Sequence, residues 1–481
     1  MNSELSIQLE DQPATKNKSN FIPMLGNFNI QYNFTAASIA VTFLSSSAYL
    51  DHALREEPDW ASAITLPIVF VGAMTGMLVM GRLGDVLGRN RAMQVTLCLS
   101  VAGCVIPALA VGNANATFAI LNAGRLILGI GVGGIYPLSA VSAAEGTDKA
   151  EDRGTRVGMA FFFQSIGCLV PYLVAMILIP VLQPSTPEPW VPQVQFRFLF
   201  ALGAVPGLII IAATCREKSS TPELPVNVER PSLRDAFARQ PREIWRTLLG
   251  TSGSWFLYDI AYYGTNIFTP SLLGKICLTG NKVDGVCNQS LFETAWQSVI
   301  VQAMGIPACL IAIRLIGRFG SRFLNIMGFL LLSLLFLAMA IVWTVNEDLH
   351  MLLFVIFCAI TFCLNFGPNL GTYVLPAICF PFEVRSTCHG ISAFGGKLGA
   401  VVGTLIFKPV SLMDGGIAAL LFMQAAVCLT GAVVGHIFLK SDFEYLESED
   451  KDATLTFLSG IENARSGRLS GARPSRPSAP P

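Results

Sequence analysis

GRLGDVLGRNR, residues 81–91, is short, glycine-rich and basic, and it stands between two apolar runs, IVFVGAMTGMLVM at 68–80 and AMQVTLCLSVAGCVIPALAV at 92–111. Each run, with its neighbours, is of membrane length: a helix rising about 1.5 Å per residue needs roughly 20 residues to cross a hydrocarbon core of about 30 Å. Glycine permits a tight turn and close helix approach. Arginine can cap helix carbonyls or pair with Asp85. The pattern recurs as RLIGRFGSR at 314–322, between two further apolar runs. A basic turn repeated at corresponding places in the two parts of a chain marks an internally duplicated helical membrane protein.

Working outward from these turns, the chain reads as twelve apolar spans. The first six are 30–50, 61–81, 92–112, 117–143, 157–181 and 194–215. The second six are 249–272, 292–313, 323–344, 349–375, 388–409 and 413–439. The expected fold is an all-α integral membrane protein with twelve transmembrane helices in two six-helix halves, 30–215 and 249–440. A basic linker, 216–248, joins the halves. The polar segment 1–29 lacks the apolar run of a signal peptide, and the tail 441–481, ending GRLSGARPSRPSAPP, reads as disordered.

Composition agrees. Of 481 residues 52% are hydrophobic and only 13% charged, with a mean hydropathy of +0.56, which nearly excludes an ordinary soluble enzyme. Lys+Arg and Asp+Glu both total 32, so the chain lacks the basic excess of a nucleic-acid binder. Arg82, Arg89 and Arg91, then Lys149, Arg153 and Arg156, then Arg314, Arg318 and Arg322 fall in loops on one side of a twelve-span chain. The opposite loops carry Asp51, Glu56, Glu57, Asp59, Glu347 and Asp348. The positive-inside rule then puts both termini in the cytoplasm. The plasma membrane is preferred over an internal one, although no targeting signal fixes it.

Asp259 is the residue that physics singles out. It lies in SWFLYDIAYYGTNIF, where a carboxylate is costly unless it faces a cavity, an ion or a partner. A transport role competes with a permanent pairing to Lys397 or a helix cap. Lys397, between Gly396 and Gly399, can reach inward to an anion or to Asp259, or snorkel to a headgroup. Trp255 and Tyr263 lie four residues either side of Asp259, so the three share a helical face. Asn365 and Asn369 flank Gly367 and Pro368, where a helix can open, and either bind substrate or bond between helices. Tyr136 precedes Pro137 in a glycine-rich span, and Gln164 alone is a weak signal. Arg125, Glu145 and Arg153 read as cytoplasmic gate or scaffold residues, and His389 as a packing histidine. Cys277 and Cys287 sit in one exterior loop beside the sequon at Asn288, so a disulfide and glycosylation are both open there. No nucleophile–base pair, metal-ligand set or nucleotide fingerprint is evident, so neither an enzyme nor a cofactor is expected.

GRLGDVLGRNR is similar to the loop signature of major facilitator transporters. GRLILGIGVGGIYPLSAVSAAE at 124–145, GSWFLYDIAYYGTNIF at 253–268, NFGPNLGTYVLPAICFP at 365–381 and RSTCHGISAFGGKLGAVVG at 385–403 resemble the inorganic phosphate:proton symporters of fungi and plants. The resemblance covers roughly residues 30–440. It implies alternating access to a central site, with phosphate held through Tyr136, Gln164, Trp255, Asp259, Tyr263, Asn365 or Asn369, and Lys397. Asp259 would carry the proton, and Asp85, Arg89, Arg125, Glu145 and Arg153 would serve conformational change. The departures are acidic. Aligning the family's TDxYD with SSAYL at 46–50 puts Ser47 and Leu50 at its two acidic positions, GGDYPLS appears with Ile135, and PAEVFPTRxRS with Ile378 and Glu383. These losses leave room for an organic phosphate or other organic ion with different coupling, or for a transporter-like receptor or nutrient sensor. Membrane lipid is the one other partner implied, and oligomeric state is not legible.

Overall fold

Two helices of this chain begin where an Asn or Ser side chain takes over a backbone group that a helix leaves unpaired. The structure, a computed structural model, describes residues 19–45, 58–147, 150–182, 188, 190–216, 237, 242–280, 282–283, 286–381, 384–442 and 444–445. The first half comprises α1 (Phe21–Ser45), a short α2 (Asp59–Ile64), α3 (Ile68–Leu87), α4 (Arg89–Ala108), α5 (Ala114–Ala144), α6 (Ala150–Val181) and α7 (Trp190–Arg216). The second comprises α8 (Glu243–Asn266), α9 (Thr269–Ile276), a two-residue hairpin β1 (Lys282–Val283) and β2 (Val286–Cys287), α10 (Leu291–Ala303), α11 (Gly305–Phe319), α12 (Ser321–Val345), α13 (His350–Phe366), α14 (Pro368–Ile378), α15 (Arg385–Ser411) and α16 (Gly416–Phe438). The hairpin pairs antiparallel, Lys282 opposite Cys287.

Nine spans among the described residues are long and apolar enough to cross a membrane. They include α10 with α11 as one broken crossing and α13 with α14 as another. Adding α1, α3 and α8 gives the twelve crossings of the expected fold. Two of these three, α1 and α8, combine membrane length with buried polar residues: Asn27, Asn29, Gln31 and Asn33 on α1, and Ser254 and Asp259 on α8. Outward faces carry Leu334, Val345, Val355 and Leu429, the surface expected against lipid. Polar groups inside and leucine outside is the arrangement a bilayer solvent favours.

Caps explain several boundaries. The Asn113 side chain accepts from the Ala116 N–H at 3.0 Å to start α5. Ser290 and Glu293 form a reciprocal capping box at α10: the Ser290 N–H donates to the Glu293 carboxylate at 2.7 Å, and the Glu293 N–H donates to the Ser290 hydroxyl at 3.2 Å. In the two repeated turns Gly88 and Gly320 have φ of +87° and +79°, a conformation that costs other residues strain. The repeat read from sequence is thus one backbone turn used twice.

Three expectations change. The segment 1–29 is not weakly structured throughout, since α1 starts at Phe21, nine residues before the expected span at 30. Its buried asparagines make that stretch look too polar for a span. The linker 216–248 ends early, because α8 begins at Glu243. The tail 441–481 starts with an ordered cap. Asp442 accepts from the Ser321 N–H (2.5 Å), the Ser321 hydroxyl (2.6 Å) and the Arg322 N–H (3.0 Å), closing the N-terminus of α12. Burial beside this cap raises the Tyr445 hydroxyl to about 12.

Candidate functional site

Asp259 and Lys397 meet. Lys397 Nζ on α15 donates to Asp259 Oδ2 on α8 at 2.8 Å and to the Tyr263 hydroxyl at 3.0 Å, and the two charged side chains are only 1% and 2% exposed. The approach depends on glycine. A side chain at Gly399 would collide with the Phe256 carbonyl, and one at Gly396 with the Trp255 indole, so α8 and α15 close to backbone contact and the lysine turns inward. Lysine could not snorkel from here. Its ammonium lies 4.2 Å from the Tyr263 ring centroid, 4.9 Å from Tyr136, 5.6 Å from Phe34 and 5.9 Å from Phe70. Three of those rings belong to the first half, so the cation sits where the two halves meet and gains cation–π attraction from both.

The other expected residues divide. The Tyr136 and Tyr263 hydroxyls are 3.5 Å apart across the halves. Trp255 lies edge-on to Tyr136 at 6.1 Å, which brings the α8 face Trp255–Asp259–Tyr263 into one cluster. Gln164 is buried on α6, and its Nε2 donates to Asn27 Oδ1 at 2.7 Å. Asn365 and Asn369 bond along their own broken helix: Asn369 Nδ2 donates to Asn365 Oδ1 at 3.0 Å, and Asn365 Nδ2 to the Thr361 carbonyl at 2.9 Å. They brace the break at Gly367 between α13 and α14.

Arg125 is not beside Glu145. It is wholly buried, with Nε donating to the Thr65 carbonyl (2.8 Å) and Nη2 to the Leu66 carbonyl (3.2 Å). Glu145 caps the opposite end of α5. Arg125 therefore anchors the start of α3 and has no place in a gate at the Glu145 end. Arg153 lies near the start of α6, at that Glu145 end. The side chains of Asp85 and Arg89 lie outside the described set, as do Ser47, Leu50 and Glu383. Cys277 and Cys287 form a disulfide with Cα atoms 5.6 Å apart, beside the exposed Asn288.

Described α1 ends at Ser45, ahead of the SSAYL stretch. Mid-helix, NIQYN at 29–33 has the same tyrosine spacing as TDxYD, with Ile30 and Asn33 at its acidic positions. Asn33 is buried and donates to the Asn29 (2.9 Å) and Gly203 (3.2 Å) carbonyls. An amide fills that position without a titratable proton. Ile135, at the third lost acid, is buried and packs toward Gly26 of α1.

Sequence reasoning missed the first turns of α1, with Asn27, and Tyr373. Tyr373 on α14 accepts from Asn27 Nδ2 at 3.0 Å, and its ring meets those of Phe161, Tyr136, Trp255 and His389. Gln31 Nε2 donates to the Tyr262 hydroxyl at 3.3 Å. Toward one end of the bundle the Ser38 hydroxyl donates to the Ile267 carbonyl (2.5 Å), and toward the other the Ser386 hydroxyl donates to the Gly81 carbonyl (3.3 Å). Both bonds cross between halves. Among the described contacts, the ion pair thus has an uncharged hydrogen bond between the halves on either side of it, of a kind that opens at small cost.

The sequence and the fold both have known relatives. Residues 23–404 match the Major Facilitator Superfamily model. "Inorganic phosphate transporter PT2" of Toxoplasma gondii is 33% identical over 437 residues, 88% of this chain and 72% of that protein. "Probable inorganic phosphate transporter 1-6" of Arabidopsis thaliana is 29% identical over 437 residues, 81% of this chain and 84% of that one. The solved proton:xylose symporter XylE superposes with a TM-score of 0.70 at 16% identity, over 89% of this chain and 98% of XylE, a likeness of fold. The chain is a membrane-spanning member of the Major Facilitator Superfamily, similar in sequence to inorganic phosphate transporters.

Proposed function

We propose that this protein carries inorganic phosphate across the membrane together with protons, by alternating access to the Lys397–Asp259 centre. The observation that carries this reading is the enclosed ion pair itself, 2.8 Å long at the junction of the halves. A buried cation needs one counter-ion, and breaking such a pair without replacement costs about 3–5 kcal/mol. Phosphate can replace Asp259 as the partner of Lys397. The displaced carboxylate is then buried and uncompensated, and a proton neutralises it at less cost than a bare charge in the bilayer. Anion and proton therefore enter together. Release on the other side returns Lys397 to Asp259 and drives the proton off.

Tyr136, Tyr263, Trp255 and Gln164 offer neutral hydrogen-bonding groups, which hold an anion more weakly than a cage of arginines and so permit release. The halves, 21–216 and 243–442, rock about the centre, with the stretch between them as their tether. The Ser38–Ile267 and Ser386–Gly81 contacts part alternately. Asp85, Arg89, Glu145 and Arg153 serve the gate at the basic-loop side, which faces the cytoplasm with both termini. The membrane is the plasma membrane. The names of the sequence relatives support phosphate as cargo.

The test is uptake of labelled phosphate by proteoliposomes, with and without an inward proton gradient, against a panel of organic phosphates. Gradient-stimulated uptake that an organic phosphate does not suppress supports the reading. Uptake of an organic phosphate in preference to inorganic phosphate refutes it.

A further inference from the structure

The polarity of the Gln164 amide is set by the backbone of another helix. Asn27 is fully buried on α1, and its Nδ2 lies 2.9 Å from the Pro23 carbonyl oxygen, which can only accept. That contact fixes which end of the Asn27 amide is nitrogen. The second hydrogen of Nδ2 goes to the Tyr373 hydroxyl at 3.0 Å. Both donors are then used. What Asn27 turns to Gln164, at 2.7 Å, is its oxygen, which requires Nε2 of Gln164 in reply. A flipped Gln164 would set two carbonyl oxygens against each other in a dry interior, where nothing screens the repulsion.

Two consequences reach the site. Gln164 commits one of its two N–H donors to Asn27, which fixes its orientation and keeps its acceptor, Oε1, beside the remaining N–H for a substrate. Tyr373 accepts from Asn27 and keeps its own hydroxyl hydrogen to give. Tyr373 stands among Tyr136 and Trp255, 6.2 Å and 6.3 Å between ring centroids, and Gln164 is joined to it through Asn27. A donor and an acceptor held together match an oxyanion that presents both a bare oxygen and an O–H. Phosphate near neutral pH carries one or two hydrogens. Sulfate has the same shape and carries none, so an acceptor facing it meets only lone pairs.

We infer that Asn27 is a specificity-determining residue that holds Gln164 as an acceptor, so that the site takes a hydrogen-bearing tetrahedral oxyanion and rejects sulfate. Asn27 acts through Gln164 and is a positioning residue. The inference rests on the proposed phosphate reading and names the protonation state that reading needs.

The experiment uses the full chain in proteoliposomes, with labelled phosphate and unlabelled sulfate or arsenate as competitors. The readout is the half-inhibiting concentration of each competitor divided by the KM for phosphate. In wild type the sulfate ratio is high and the arsenate ratio, for an anion that carries hydrogens as phosphate does, is near one. Asn27→Leu frees the Gln164 amide to turn, and the sulfate ratio falls by about tenfold or more, the scale on which a buried acceptor discriminates. The arsenate ratio stays put. Gln164→Leu removes the acceptor outright and lowers the sulfate ratio likewise, which covers the case in which Asn27→Leu does not assemble. A purely structural role for Asn27 lowers phosphate uptake and leaves the sulfate ratio unchanged, and that result overturns the inference. So does a wild type that sulfate inhibits as well as phosphate does. A wild type that takes up no phosphate at all overturns instead the functional reading beneath it.

Discussion

Removing either partner of the central ion pair should cost more than removing both. The pair is 2.8 Å long with side chains 1% and 2% exposed, so solvent does not screen it. Truncating one member of such a pair costs about 3–5 kcal/mol, while replacing both by neutral groups of similar size is often nearly neutral. The structure also orders the two single variants. In Asp259→Asn the lysine keeps the Tyr263 hydroxyl at 3.0 Å and the faces of Tyr263 and Tyr136 at 4.2 Å and 4.9 Å. Each such face contributes about 0.5–2 kcal/mol. In Lys397→Met the carboxylate loses its short cationic donor and gains nothing from the π faces, which repel an anion. At a pH where that carboxylate takes no proton, Lys397→Met should therefore be the less stable single variant, and the double variant should recover at least about 2 kcal/mol over the sum of the two. Thermal unfolding of the purified proteins in one detergent, with the four corners of the cycle measured together, checks this. Additive losses, or a double variant worse than either single, would refute the claim that the pair is a coupled unit.

Other outcomes follow from the same geometry. A side chain at Gly390 would press on the Met77 carbonyl, so Gly390→Val should hold the Ser386–Gly81 side open, and a cysteine placed at Gly81 should then label faster with a water-soluble maleimide. The Cys277–Cys287 bridge closes a loop ten residues apart in sequence. Alkylation of the unfolded chain should add two more groups after reduction than before it, and loss of the bridge should cost about 3 kcal/mol in loop entropy. Ser290→Ala removes one half of the α10 cap and should cost about 1 kcal/mol.

The architecture was legible because a bilayer imposes coarse rules. Apolar length gave the crossings, and the two glycine–arginine turns gave the duplication, since a positive φ at Gly88 and Gly320 leaves a compositional mark. Asp259 and Lys397 were legible for the opposite reason: charge is so scarce inside the membrane that each occurrence signals a partner. The remainder of the site was hidden by its neutrality. Asn27 and Gln31 sit in a polar opening of α1 that resembles a loop, and nothing in NFNIQYNF announces that its amides point into the protein. Tyr373 is one tyrosine in an apolar helix, indistinguishable from packing until the fold sets it against Asn27 and His389. Between the two roles open to Arg125, gate or scaffold, the sequence could not choose, because the choice rests on contacts distant in the chain. The partners of Arg125 are backbone carbonyls some sixty residues away in the chain.

Phosphate-driven acidification of the vesicle lumen tests the exchange at Lys397 most directly. Proteoliposomes carry a trapped pH dye and start with no gradient, and phosphate is added outside. Wild type should acidify the lumen in proportion to the phosphate it takes up. Asp259→Asn should acidify less per phosphate carried, because its amide cannot take the proton that a displaced carboxylate takes. Equal acidification per phosphate in the two proteins would contradict the account.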